Sequence, residues 1–273
     1  MSELTKRILF AVPAAALFLF ITWLGGLWFV GLVIPISLII QHELSSLCEG
    51  AGFKPDTYFP YTIGLWILLI PFLDHAFPIG IGIFLLFVAL KIFKTDDIGL
   101  REFISTFFAG IYAPLGMLTF ILIRDFGSDE VGFTLTITLL LMVWGNDVFA
   151  YFGGKAFGKN KLAPTVSPNK TWEGFFSGIV GALVGLGLVI FLVPSPFPTT
   201  ILAIAPAAVS ISIFGPIGDL TASRLKRAAD VKDASNILPG HGGLFDRFDA
   251  LLLAAPAFYC YLYLLNIIGY ASF

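Results

Sequence analysis

Apolar runs close to bilayer-spanning length follow one another through the chain, separated by short polar stretches. Nine can be marked, at roughly 8–24, 27–43, 60–75, 78–94, 104–123, 131–152, 173–193, 198–220 and 245–269, each near the ~20 residues that a membrane helix needs. The second contains Pro35 and ends at Gln41, His42 and Glu43, and the third is interrupted by Pro71. A re-entrant or tilted segment in this half therefore stays open. Positive charge tests the count. Alternate loops hold Lys6 and Arg7; Lys54; Lys91, Lys94 and Arg101; Lys155, Lys159, Lys161 and Lys170; then Arg224, Lys226, Arg227, Lys232 and Arg247. Arg124 alone falls on the other side. A helix missed or invented in the middle would scramble this segregation. The pattern predicts an all-α polytopic membrane protein of about nine spans, with a cytoplasmic N-terminus and the C-terminus outside.

Composition agrees. The 273 residues are 58% hydrophobic and 12% charged, with net charge −2 and mean hydropathy +0.92; a soluble domain carries about a quarter charged residues. The first apolar run has the charged start of a signal peptide but no small-residue cleavage site, so it counts as the first helix. Cys48 falls in a polar stretch and Cys260 deep in the last apolar run, which argues against a disulfide. No charge block suggests nucleic acid as a partner. Residues 1–99, with few candidate ligands, are read as a transmembrane scaffold, and 100–273 as the catalytic region. Its long polar loops, 153–172 and 221–244, both face the cytoplasm on this topology.

Charges at span ends need a reason, because each costs about 2.5–3.5 kcal/mol at a helix centre and less near the interface. In "GPIGDLTASRLKRAADVKD", Asp219, Ser223 and Lys226 recur at i, i+4 and i+7, one face of a helix continuing past the membrane. Arg224, Arg227 and Lys232 deepen the positive field. An ordinary basic anchor would look similar, but it needs no acid. "PGHGG", 239–243, is either a glycine nest for an anion or a plain reversal. Asp246 and Asp249 then share a face at the start of the last helix. A first-turn acid favoured by the helix dipole would account for Asp246, but not for Asp249 and Arg247 as well. Carboxylates offer Mg²⁺ hard oxygens, and Arg and Lys hold phosphate oxygens. These residues point to metal-assisted phosphoryl or nucleotidyl transfer where lipid head groups lie.

A second cluster lies in "WGNDVFAYFGGKAFGKNKLAPTVSPNKTWEG". Gly153 to Lys159 imitates the front of a P-loop, but Asn160 replaces the required Ser or Thr and no strand precedes it, so a Walker NTPase is rejected. Asn169-Lys170-Thr171 spells a glycosylation acceptor, yet sits on the cytoplasmic side. Asn146 and Asp147 remain, at an expected helix end, with lysines and a Ser167-Pro-Asn-Lys170 turn entering the next helix. These suit a nucleoside triphosphate or a purely structural turn.

Ser223-Arg-Leu-Lys226-Arg227, Lys232-Asp233 and His241-Gly-Gly-Leu-Phe-Asp246-Arg247-Phe-Asp249 together resemble the signature of the phosphatidate cytidylyltransferases. "SPNKTWEG" and the preceding "ND…AY…G" stretch extend the resemblance over roughly 144–250. It implies that CTP and phosphatidate give CDP-diacylglycerol and pyrophosphate, for phospholipid biosynthesis, with Mg²⁺ required and a second cation left open. It implies metal binding at Asp219 and Asp246, with Asp249 lining the site. Lys, Arg and His positions of the signature, including Lys232, His241 and Arg247, would contact phosphates. His241 is an acid for the leaving pyrophosphate, a donor to phosphate, or a structural loop histidine. The resemblance also implies a multi-pass protein of the inner (plasma) membrane with its site on the cytoplasmic side.

Other classes fit less well. A transporter would place polar groups near the bilayer midplane, and no internal repeat is visible. The CDP-alcohol phosphatidyltransferases carry an aspartate-rich pattern absent here. Gly178, Gly181, Gly185 and Gly187 form a small-residue face that could join helices within or between chains; a homodimer is the expected assembly, since twofold oligomers are common.

Overall fold

The computed structural model describes residues 3–92, 100–192, 201–238, 240 and 242–269. Among these are α1 (Glu3–Leu24), α2 (Gly26–Gly50), α3 (Phe59–Leu69), α4 (Ala76–Ile92), α5 (Leu100–Arg124), α6 (Asp129–Phe157), α7 (Trp172–Leu192), α8 (Ala207–Ala228) and α9 (Phe245–Ile267). Each overlaps one predicted apolar run. Five of them, α2, α5, α6, α7 and α9, are long and apolar enough to cross a membrane. α3 ends in a single 3-10 turn, Ile70–Phe72, that carries Pro71: proline lacks the N–H a helix needs, although Ile70 just before it keeps helical backbone. α2 nevertheless continues through Pro35.

Three local expectations change. Cys48 is buried in α2, not in a polar loop, because the helix persists to Gly50; it and Cys260 are free thiols. Asn146 and Asp147 lie well inside α6, not at its end, because the helix absorbs Gly153, Gly154 and Lys155 before stopping at Phe157. The stretch expected to be a turn into α7 is one arm of an antiparallel hairpin, β1 (Lys161–Ala163) with β2 (Ser167–Thr171), registered Lys161 to Thr171 and Ala163 to Ser167. Among the described residues the fold is therefore helical with one small hairpin.

The described residues fall into two compact units that interleave along the chain, a different kind of partition from the functional division at residue 99. The first draws on Met1–Ala16, Val30–Leu118 and Leu225–Arg247. Its interior is organised by buried polar groups at close helix approaches. Gln41 Nε2 donates to Pro60 O (2.7 Å) and Ala109 O (3.3 Å), joining α2, α3 and α5. Lys91, at the end of α4, pairs with Asp56 at 2.6 Å and with Glu102 of α5. Phe59, Phe103 and Phe107 ring the buried Phe87. Burial works against ionisation of Asp56, but hydrogen bonds from Lys91 and from the N–H groups of Tyr58 and Phe59, with the lysine charge, outweigh it. The carboxyl is held below its usual range.

The second unit draws on Leu17–Phe29, Thr119–Arg224 and Phe248–Phe273. Its spine is α6 against α7. A Cβ on Gly181 would sit 2.1 Å from Gly145 O, and one on Gly185 2.3 Å from Leu141 O. Small residues let membrane helices approach to backbone contact, so Gly178, Gly181 and Gly185 are used within the chain, while Gly187 has nothing within 4 Å. Arg124, the lone exception to the charge rule, is buried; it donates to Thr22 O and Trp23 O and pairs with Asp129 at 2.8 Å.

Candidate functional site

The polar residues picked from the sequence fall into two sets, one in each unit. In the second unit, the hairpin delivers Lys170. Thr171 Oγ1 accepts the N–H of Gly174 and caps the start of α7, while Glu173 accepts from the Asn160 backbone and side-chain amides on the other arm. Held by this frame, Lys170 Nζ lies 2.5 Å from Asp219 Oδ2 and donates a long 3.5 Å bond to Pro216 O. Ser223, one turn along α8, approaches Asp219 Oδ1 at 3.4 Å. Asp147 interacts electrostatically with both Asp219 and Lys170, and Asn146 Nδ2 reaches its Oδ1 at 3.5 Å. Asp147, Lys170, Asp219 and Ser223 are thus one charged cluster built from three elements, α6, β2 and α8. Ser167 lies on the same strand as Lys170, opposite Ala163. Asp249 Oδ1 accepts from the Ala250 N–H. Its carbonyl sits where a Cβ on Gly218 would be, at 2.2 Å, so α8 and α9 meet there at backbone contact.

In the first unit, Lys226 Nζ lies 2.5 Å from Asp246 Oδ1. Asp246 Oδ2 accepts from the N–H groups of Ala234 (2.8 Å) and Gly243 (3.0 Å). Its side chain is only 6% exposed, and both of its oxygens are engaged. The carboxylate therefore ties the signature loop to itself as well as to Lys226. Gly240 and Gly242 take positive φ of 73° and 81°, a backbone region glycine enters without strain, and Leu238 N–H donates to Gly242 O. His241 lies outside the described residues. Arg227, Lys232 and Arg247 of this unit, and Arg224 of the second unit, are at exposed positions.

One participant was missed. Glu43 is 1% exposed, and its carboxylate accepts from Ser235 Oγ (2.5 Å), Leu244 N (3.1 Å) and Phe245 N (2.6 Å). The signal was present, an acid closing an apolar run, but its partners lie about two hundred residues further on, beyond any local pattern.

Chemically, each set pairs an acid with an ammonium beside further hydroxyl, amide or cationic groups. Ammonium groups of this kind are the usual partners of phosphate oxygens, and carboxylates are hard-oxygen ligands. The wider likeness agrees. The chain matches the Cytidylyltransferase family over residues 5–265. It is 36% identical over 275 residues to the phosphatidate cytidylyltransferase of Bacillus subtilis (strain 168), covering 95% of this chain and 97% of the relative. It is 35% identical over 263 residues to that of Brucella abortus (strain 2308), covering 96% and 94%. The protein of the same name from Pseudomonas aeruginosa is 45% identical over 124 residues, 45% of each chain. A match running through nearly every helix and both charged sets leaves one conclusion: the chain belongs to the cytidylyltransferase family.

Proposed function

We propose that the protein is a phosphatidate cytidylyltransferase, transferring the cytidylyl group of CTP to phosphatidate and giving CDP-diacylglycerol and pyrophosphate for phospholipid biosynthesis. The observation that carries the reading is the near full-length likeness to relatives bearing that name. The two acid–lysine pairs support it.

Phosphatidate brings its own nucleophile. A phosphate monoester has a second pKa near 6 and is mostly dianionic at neutral pH, so little or no general base is needed. The difficulty is to bring this dianion to the α-phosphorus of a polyanion. Two unit charges 4 Å apart interact by about 4 kcal/mol at an effective dielectric of 20, and several are involved here. Lys170 and Lys226 offer fixed ammonium groups for phosphate oxygens; Ser223 offers a hydroxyl. Arg224, Arg227, Lys232 and Arg247 add exposed positive charge that draws CTP and holds its phosphates. Asn146, Asp147 and Ser167 join the binding surface, and His241 is proposed as an acid for pyrophosphate or a donor to phosphate, with a structural loop role as the alternative.

Among the described residues no three His, Cys, Asp or Glu side chains form a group that could hold a metal ion, so Mg²⁺ is proposed on the hard-oxygen chemistry of the individual aspartates alone. Asp219 keeps its side chain 40% exposed, with one oxygen on Lys170 and only a long contact at the other. Asp249, whose Oδ1 accepts the Ala250 N–H, is proposed to line the site. At Asp246 a cation must compete with Lys226 for Oδ1, because Oδ2 already accepts two backbone N–H groups. Bound Mg²⁺ supplies positive charge that offsets repulsion between the reactants and stabilises the leaving pyrophosphate.

The remaining parts of the proposal concern setting. Nine spans, with the N-terminus and the signature loop on the cytoplasmic side of the inner (plasma) membrane, follow from the charge segregation. The aspartates then lie at the bilayer surface because one substrate cannot leave it. A homodimer is proposed on general grounds alone. The test uses purified protein in detergent with cytidine-labelled CTP, phosphatidate and Mg²⁺. The expected result is a lipid-soluble cytidine product dependent on all three; none across varied metals and detergents would overturn the reading.

A further inference from the structure

Glu43 is a buried carboxylate that the proposed chemistry does not use. It comes from α2, in the stretch otherwise read as scaffold, and it accepts hydrogen bonds from three residues of the signature loop. Oε1 accepts from the Ser235 hydroxyl and the Leu244 N–H, and Oε2 accepts from the Phe245 N–H. The neighbouring N–H, that of Gly243, goes to Asp246 Oδ2, as does that of Ala234. Two acids thus divide between them three consecutive amides at the start of α9 and two adjacent residues at the far end of the loop. A helix begins with N–H groups that have no partner in the helix itself, and negative charge there is favoured by the helix dipole. The fit is close from the loop side too: a Cβ on Gly243 would come 2.6 Å from Glu43 Oε1.

We propose that Glu43 is a positioning residue for the signature loop: by capping α9 and holding Ser235, it fixes the backbone from which Asp246 grips Lys226. It touches no reactant and acts through the orientation of Asp246 and Lys226. The kinetic part of this proposal rests on the cytidylyl-transfer reading; the structural part does not.

Glu43→Gln is the informative change. Glutamine keeps the shape but has one acceptor oxygen. Placed either way round, its amide N–H₂ faces at least one backbone N–H that Glu43 now accepts, donor against donor. Glu43→Asp keeps the charge and both oxygens on a shorter arm. The experiment measures steady-state kinetics of the full chain, its thermal midpoint, and amide exchange across residues 235–250. With Glu43→Gln, kcat should fall about 10- to 100-fold, with KM for CTP and phosphatidate within about threefold. Exchange at Leu244 and Phe245 should quicken by about tenfold or more, confined to this loop, and Glu43→Asp should recover part of both. Wild-type kcat and exchange in Glu43→Gln would overturn the proposal. So would a loss accompanied by faster exchange throughout both units, which marks a brace for the fold alone. Should Glu43→Gln not fold, Gly243→Ala decides, because it displaces the same carboxylate from the other side: loop-confined exchange with lowered kcat supports the proposal, and unchanged values overturn it. If the wild-type protein makes no cytidylyl lipid, the cytidylyl-transfer reading fails, and the exchange measurement alone decides the role of Glu43.

Discussion

Lys170 Nζ stands 2.5 Å from Asp219 Oδ2, although the two residues come from a hairpin strand and a membrane-flanking helix. One is assigned to phosphate and the other to metal, so in this state each satisfies the other. This pairing predicts strong coupling. Asp219→Asn and Lys170→Ala should each lower kcat/KM on the order of 100-fold, and the double variant should be little worse than the poorer single one. Kinetics of the four proteins check this; simple multiplication of the two losses would separate the residues functionally.

Asp246 serves a different balance, because it binds Lys226 and two loop amides at once. Asp246→Asn should abolish most turnover while expression and membrane insertion persist. Because one loop amide then faces an altered acceptor, amide exchange near Ala234 and Gly243 should also quicken. Retained turnover would remove Asp246 from the working set.

How far the chain could be read in advance depends on the range of each interaction. Hydropathy located every described helix, because a membrane helix must satisfy its backbone internally and cover itself with apolar side chains; both requirements are local. Helix ends were harder. Gly153, Gly154 and Lys155 look like a loop, yet α6 continues through them, with Gly153 close to Ser177 of α7 and Gly154 close to Gly174 of α7 and Thr171 of β2. The hairpin was missed because Ser167-Pro-Asn-Lys170 shows turn chemistry and no alternation. Asp219, Lys170 and Asp246 stood out by charge in an apolar setting; that Lys170 would pair with Asp219 did not, and neither did Glu43, since both contacts are long-range.

The α6–α7 contact predicts contrasting glycine variants. Gly181→Ala places a Cβ 2.1 Å from Gly145 O, whereas a Cβ on Gly187 meets nothing within 4 Å. Gly181→Ala should lower the thermal midpoint in detergent, consistent with an overpacking cost of about 1–3 kcal/mol. Gly187→Ala should leave it within experimental scatter. Equal effects would contradict the assignment of this glycine face to intrachain packing.

The Lys91 cluster predicts a pH response. Asp56 is held below its usual carboxylate range mainly by Lys91 against the cost of burial. Its contribution to stability is therefore fully present above the unfolded carboxylate pKa and declines as pH falls through the lower, folded value. Lys91→Met leaves Asp56 and Glu102 without their shared cation and should destabilise the first unit by about 3 kcal/mol near neutrality, with the deficit shrinking in acid. Thermal melts across pH check the sign; a deficit that grows in acid would contradict it.

The most direct test of the central claim follows the phosphorus. CTP labelled at either its α- or its γ-phosphate is incubated with phosphatidate, Mg²⁺ and the purified protein, and lipid and aqueous products are separated. Cytidylyl transfer predicts α-label in the lipid fraction and γ-label in aqueous pyrophosphate. γ-Label in the lipid, or no label there from either position, would contradict it.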